Sequence, residues 1–157
     1  MGRLQFHNSK TLKLTNVLKC KMDISDEEFD FHTQIAKMES FIKSKGAIQV
    51  GPLIQYVNTY VNEEEELDME MIFMLQSNNF IHKLEAPYTM ESVVRMSDCM
   101  YCRYSGPEEN LKYAYDKIGV EAFESEVELS GENYTIFVSE NEEEETIIAD
   151  VFMPRKE

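Results

Sequence analysis

Few side chains in this chain could do covalent or metal chemistry, and their spacing restricts them further. Cys99 and Cys102 form a C-x-x-C pair. A redox pair of this kind needs a helix N-terminus to lower one thiol pKa, and a zinc site needs further Cys or His ligands. Here the pair lies in a strand-like run, where residues i and i+3 point to opposite faces. The structural reading is therefore preferred, with no metal and no cofactor expected. Cys20 stands alone, and His7, His32 and His82 lack metal-ligand spacing. No Gly-x-Ser-x-Gly, P-loop or dinucleotide fingerprint occurs, so the expectation is a protein that is not an enzyme. Aromatic and polar side chains that alternate along strands remain, on faces expected to turn away from the packed helices: Tyr101 and Arg103 on one run, Thr135 and Phe137 on another. Aromatic walls with a few polar groups suit planar organic ligands, and cations through cation–π contact. Tyr is equally common on strands for packing alone, so the bland reading stands beside this one. Glu70 and Asp150 are candidate pocket carboxylates on the last strand of each half. Their positions differ in parity, and at least one is expected to face solvent.

Composition narrows the function classes. The 157 residues carry 30 Asp and Glu against 15 Lys and Arg, a net charge of −15. Direct nucleic-acid binding requires a basic face and is not expected. Acidity favours cationic ligands or a basic protein partner. No apolar run approaches the ~20 residues of a membrane span, and no signal-peptide stretch is apparent. Phe6 breaks the myristoylation pattern that Met1-Gly2 would begin. Three cysteines cannot pair completely, which fits a reducing compartment, and a cytoplasmic location is expected.

The elements that must position these residues occur twice. NEEEELDMEMIFML (Asn62 to Leu75) returns as NEEEETIIADVFMP (Asn141 to Pro154), a shift of 79 that aligns Phe73-Met74 with Phe152-Met153. Phe31, Ile35, Met38 and Ile42 share their spacing with Leu111, Tyr115, Ile118 and Ala122 at a shift of 80, and Cys20 aligns with Cys102 at 82. The predicted order in each half is strand, helix, strand, strand. The first strand lies within Thr11 to Ser25, with Leu18, Cys20 and Met22 on one face. A helix begins at Ser25-Asp26 and stops before Gly46, and strands cover Leu53 to Val61 and Leu67 to Leu75. After a connection over Gln76 to Met90 come a strand in Glu91 to Ser105 and a helix from Glu108 to Glu124, with Pro107 suited to its first position. Strands over Asn133 to Ser139 and Thr146 to Pro154 complete the second half. The fold class is α+β: one domain of two repeats (about 11–76 and 91–154), an antiparallel sheet with two packed helices and pseudo-two-fold symmetry. The seam between the halves is the expected place for a ligand.

The run YCRYSGPEENLKYAYDKI (Tyr101 to Ile118) resembles the GyrI-like small-molecule-binding domain superfamily. This superfamily includes effector-binding domains of multidrug-sensing transcription regulators and free-standing gyrase-inhibitory proteins. Its second half typically has a strand, a Gly-Pro turn and a helix opening with Leu and an aromatic, as do Gly106, Pro107, Leu111 and Tyr115. GPLIQY (Gly51 to Tyr56) is similar to the family's Gly-Pro segment leading to a Tyr, and VFMP (Val151 to Pro154) to its closing strand. The resemblance extends from about Thr11 to Pro154. It implies a pocket between the repeats and adds Tyr56 to the ligand candidates. One departure stands out. Cation sensors of this type carry a buried Glu in an aromatic-Glu-Ile-Tyr context, and the same Glu serves family members that act as hydrolases. Thr135 occupies that place here, which puts strong cation sensing and hydrolysis in doubt. With about ten residues before the first strand and no helix-turn-helix, a free-standing form is expected.

Two functions follow as expectations. The first is a non-enzymatic module binding a small organic molecule through Tyr56, Tyr101, Arg103, Thr135 and Phe137. The alternative is a protein-interaction module, inhibitor or adaptor, with a vestigial pocket, whose acidic tips Glu63 to Glu66 and Glu140 to Glu145 meet a basic partner. Those tips read equally well as solvated hairpin loops.

Overall fold

The protein is described by a computed structural model covering residues 2–157. Its elements are β1 (Arg3–Met22), α1 (Phe31–Ser44), β2 (Gln49–Val61), β3 (Leu67–Ser77), β4 (Tyr88–Pro107), α2 (Lys112–Glu124), β5 (Glu132–Asn141) and β6 (Thr146–Met153). A 3-10 turn, Glu108–Asn110, leads into α2. All strand pairings are antiparallel, and the sheet closes on itself in the order β1-β3-β2-β5-β6-β4. The architecture is α+β, with the two helices lying outside the sheet. The halves meet along two seams, β1 with β4 and β2 with β5.

Alternation sorts the side chains into three cores. Leu14, Val17, Ile54, Tyr56, Met74, Tyr101, Tyr134 and Phe152 fill the barrel interior. Outside it, Leu18, Cys20, Phe73 and Leu75 pack beneath Met38 and Ile42 of α1. Met100, Cys102, Tyr104 and Val151 pack beneath Ala114, Ile118 and Ala122 of α2. Where strands are covered on both faces, as over Met100 to Cys102 of β4 and Tyr134 to Phe137 of β5, the chain reads as a near-continuous apolar run.

Several boundaries move from their sequence-based positions. β1 begins at Arg3, eight residues before the expected Thr11, because Arg3 to His7 pair with Arg103 to Ser105 and their neighbours on β4. These first residues are mostly exposed and lack apolar alternation. α1 begins at Phe31 and not at Ser25-Asp26. The Asp30 carboxylate accepts from the His32 backbone N–H at 3.1 Å and the Thr33 hydroxyl at 2.8 Å, whereas Asp23 and Asp26 close local turns on Ser25 and Glu28. Gly46 ends α1 at φ 73°, as expected of a left-handed stop. Pro107 is the last residue of β4 and not the first of α2. Gly106 before it has φ 150°, and a Cβ there would meet the Gly2 Cα at 2.8 Å, so the turn requires glycine.

The aligned Phe-Met pairs are not equivalent. Phe73 faces α1 and Met74 the interior, while Phe152 faces the interior and Met153 packs toward α2. Orientation matches instead at a shift of 80, Phe73 with Met153 beneath the helices, and a match one residue out of register reverses every side chain. The Cys20–Cys102 alignment keeps its parity, and both cysteines lie beneath the helices.

Candidate functional site

The β2–β5 seam builds a groove on the helix-bearing side of the sheet. Gln55 pairs with Phe73 on one flank and Thr135 on the other, so the three share one row of the sheet, and Gln55 and Phe73 form the floor. Leu53 and Phe137 lie two residues along the same strands. The Asp30 cap fixes where α1 begins, and its first turns supply Phe31, His32 and Ile35 as one wall. Glu108, Ser139, Glu140 and Ile147 form the opposite rim. The half-open cavity measures about 460 Å³ and takes its lining from both halves. Six of its eleven lining residues are apolar, with Gln55 as a polar handle in the floor and two carboxylates at the rim. Phe31 stacks against Phe29 and Phe73 with ring centroids 4.7 and 5.4 Å away, yet remains 42% exposed over the opening.

The floor is sealed on the α2 side. Thr135 is fully buried, and its hydroxyl lies 2.6 Å from the Tyr115 hydroxyl. Burial raises the Tyr115 pKa, so this is a pair of neutral hydroxyls with both polar atoms satisfied.

The sequence reading grouped Tyr101, Arg103, Thr135 and Phe137, with Tyr56, on strand faces turned away from the helices. The structure divides them. Tyr56, Tyr101 and Arg103 do face away, toward the barrel interior. Thr135 and Phe137 face the helices, and on β5 it is Tyr134 and Ile136 that turn inward. β5 is covered on both faces, so its apolar pattern does not distinguish one parity from the other. Of the five, only Phe137 lines one of the principal cavities.

The interior residues form their own polar network. The Tyr101 hydroxyl donates to Asp150 Oδ1 at 2.7 Å, and Arg103 grips both oxygens of the same carboxylate at 2.7 and 2.9 Å. Burial and the bond to Asp150 push the Tyr101 pKa up to about 12. The Tyr56 hydroxyl donates to Glu132 at 2.7 Å, its ring lies 4.9 Å from that of Tyr134, and burial raises the pKa of both tyrosines. Glu70 and Asp150 differ from expectation in one respect: register places both on the interior-facing side of their strands. Neither is fully solvated, with side-chain exposures of 30% and 13%, and Glu70 pairs with Lys21 at 3.4 Å. Cys99 and Cys102 point to opposite faces, as the strand geometry requires. Burial raises both thiol pKa values.

Sequence reasoning missed Phe31, Ile35, Leu53, Gln55, Phe73, Glu108 and Ile147 as groove residues. Phe31 and Ile35 read as part of the buried stripe of α1. The available signal was Gln55, a polar residue on a strand otherwise rich in apolar side chains.

No family model and no curated protein matches the sequence. Solved structures do match the fold. The chain superimposes on the C-terminal domain of EcmrR with a TM-score of 0.66 at 14% identity, covering 100% of this chain and 98% of that one. It spans 57% of the EcmrR chain seen in complex with DNA. An uncharacterized conserved protein from Listeria innocua aligns with a TM-score of 0.57 at 13% identity, over 99% of this chain and 92% of the other. A hydrolase from Listeria innocua aligns at 0.52 and 11% identity, over 99% and 91%. The chain has a GyrI-like fold.

Proposed function

We propose that this protein is a non-enzymatic module that binds one small organic molecule in the groove between α1 and the β5–β6 arm. The observation that carries the reading is the cavity of about 460 Å³, walled by Phe31, Phe73 and Phe137 and edged by Glu108 and Glu140. Its size and apolar lining are those of small-molecule sites. Rim carboxylates beside exposed aromatic faces favour a planar ligand with a positive charge at one end. The GyrI-like fold supports an effector-binding role, although fold alone does not dictate function. Thr135, closed against Tyr115, stands where hydrolytic relatives would need a carboxylate, which favours binding over catalysis. With no helix among the described residues long and apolar enough to cross a membrane, the reading keeps a cytoplasmic setting.

The test is titration of the purified protein with crystal violet, a cationic dye, and Nile red, a neutral one, followed by fluorescence and native mass spectrometry. One dye per chain is expected, with affinity at least tenfold weaker in Phe137→Ala and in Phe73→Ala. Failure of both dyes to bind, or binding indifferent to both substitutions, would overturn the assignment.

A further inference from the structure

The groove continues past its apolar lining. Glu108, Glu140 and Ile147 also line a second cavity of about 470 Å³ beside the 3-10 turn. Glu109, Glu142 and Glu145 line that space as well. A further cavity of about 860 Å³, which includes Glu143 and Glu144, opens on the other face of the hairpin beside Arg3, Ser105 and Ile148. The first two spaces form one trough, apolar under α1 and acidic at the hairpin. Among the described residues, no Lys or Arg lines it.

Acidity alone does not make this surface. The hairpin Glu63 to Glu66 is as acidic and is also shaped by an Asn, since Asn62 Oδ1 accepts from the Glu64 and Glu66 backbone as Asn141 Oδ1 does from Glu144. It nevertheless lines none of the five principal cavities. Nor do the carboxylates converge on a point: among the described residues no cluster of three His, Cys, Asp or Glu could hold a metal ion. Carboxylates strung along a trough complement a linear polycation better than a single ion. A second copy of this chain, at −15, would be repelled, as would nucleic acid.

We propose that the trough docks an extended basic segment of a partner protein, with a leading apolar side chain under α1 and Lys or Arg side chains along Glu108, Glu109, Glu140, Glu142 and Glu145. Both this segment and the small molecule require the space between Phe31 and Phe137, so each excludes the other. The exclusion rests on the ligand reading given above, whereas the docking does not.

The experiment uses a fluorescein-labelled peptide of one Phe followed by six Lys, measured by anisotropy against the full chain. Expected are one peptide per chain, at least tenfold weakening between 50 and 300 mM NaCl, and at least tenfold weakening when the peptide Phe becomes Ser. E109Q/E142Q/E145Q should lose at least tenfold, and E64Q/E65Q/E66Q less than twofold. Nile red, being neutral, should displace the peptide through the shared groove and not through charge. Equal loss in the two Gln variants, or indifference to Phe in the peptide, would overturn the docking. Nile red binding without peptide binding would overturn the docking and leave the ligand reading intact. Peptide binding in a protein that takes neither dye would keep the docking and remove the exclusion together with the ligand reading.

Discussion

The two halves have the same order of elements but seat their helices differently. α2 lies flat on its strands: Ala114 and Ala122 allow close approach, Ile118 is fully buried, and Tyr115 is tied to Thr135. α1 is anchored only along its later turns, by Met38 and Ile42, while its first turn carries the half-exposed Phe31 over a cavity. Small residues in the helix interface draw helix and sheet together, and larger aromatics at a helix end hold them apart. Among the described residues, a cavity thus opens under the first turn of α1 and none of the principal cavities is lined by α2, where strict symmetry would give both or neither. The interior faces differ in the same sense. Asp150 is gripped by Arg103 and Tyr101, whereas Glu70, also inward-facing, has only one longer contact to a solvated Lys21.

The largest expected effect tests whether α2 is the structural helix. Ile118→Ala should destabilise the fold by about 2–5 kcal/mol, because a fully buried side chain leaves a cavity that close packing cannot fill. Equilibrium urea unfolding measures it. A cost below about 1 kcal/mol would mean that α2 is as loosely held as the first turn of α1.

Next in size, Asp150→Asn should cost on the order of 2 kcal/mol, the usual scale for a hydrogen bond to a charged group. Glu70→Gln should cost about 0.5 kcal/mol or less, as for an exposed pair. The alkaline limb provides a second readout. Tyr101 holds its proton in the folded state up to about 12, against 10.0 ordinarily. The folded form therefore binds that proton more tightly than the unfolded chain. Its contribution to stability is complete below pH 10 and is lost as pH rises from 10 through 12. In Asp150→Asn, tyrosinate absorbance at 295 nm should appear at lower pH than in the wild type. An unchanged titration would remove Asp150 from the account of Tyr101.

The sequence revealed the periodic elements and concealed the parity of those that are not periodic. Leu18, Cys20 and Met22 fall on one face as the alternation predicts, because Lys19 and Lys21 separate them. Tyr134 to Phe137 carry no such contrast, since β5 packs against the interior on one side and a helix on the other. The repeated Phe-Met pair misleads for a related reason: it matches residue types one residue out of the structural register. The start of α1 was misplaced because Asp23, Asp26 and Asp30 are all competent caps, and which one serves depends on tertiary packing of Phe29 and Phe31. The groove was illegible because it depends on how far α1 stands from the sheet, and side-chain spacing along one helix does not encode that distance.

Tyr115→Phe is a smaller perturbation directed at the sealed side of the floor. It leaves the Thr135 hydroxyl buried without its partner, at a cost of about 1–3 kcal/mol. Adding Thr135→Val should recover part of that loss, because two apolar groups of matching shape need no hydrogen bond. If the double variant is less stable than Tyr115→Phe alone, the two hydroxyls are not coupled.

Phe31→Ala should have the smallest effect on stability and the most specific effect on function. The ring is 42% exposed, so its removal returns little apolar surface to water, and about 1 kcal/mol or less is expected. The same ring, with Phe73 and Phe137, walls the groove, so binding of crystal violet should fall at least tenfold. Tyr115→Phe is predicted to do the reverse, lowering stability while leaving dye affinity within about twofold, since Tyr115 lines no wall of that cavity. The crossed result distinguishes a helix that holds the fold from a helix end that holds the ligand. If Phe31→Ala instead lowers stability as much as Ile118→Ala, the first turn of α1 is core, and the asymmetry between the halves does not mark a binding site.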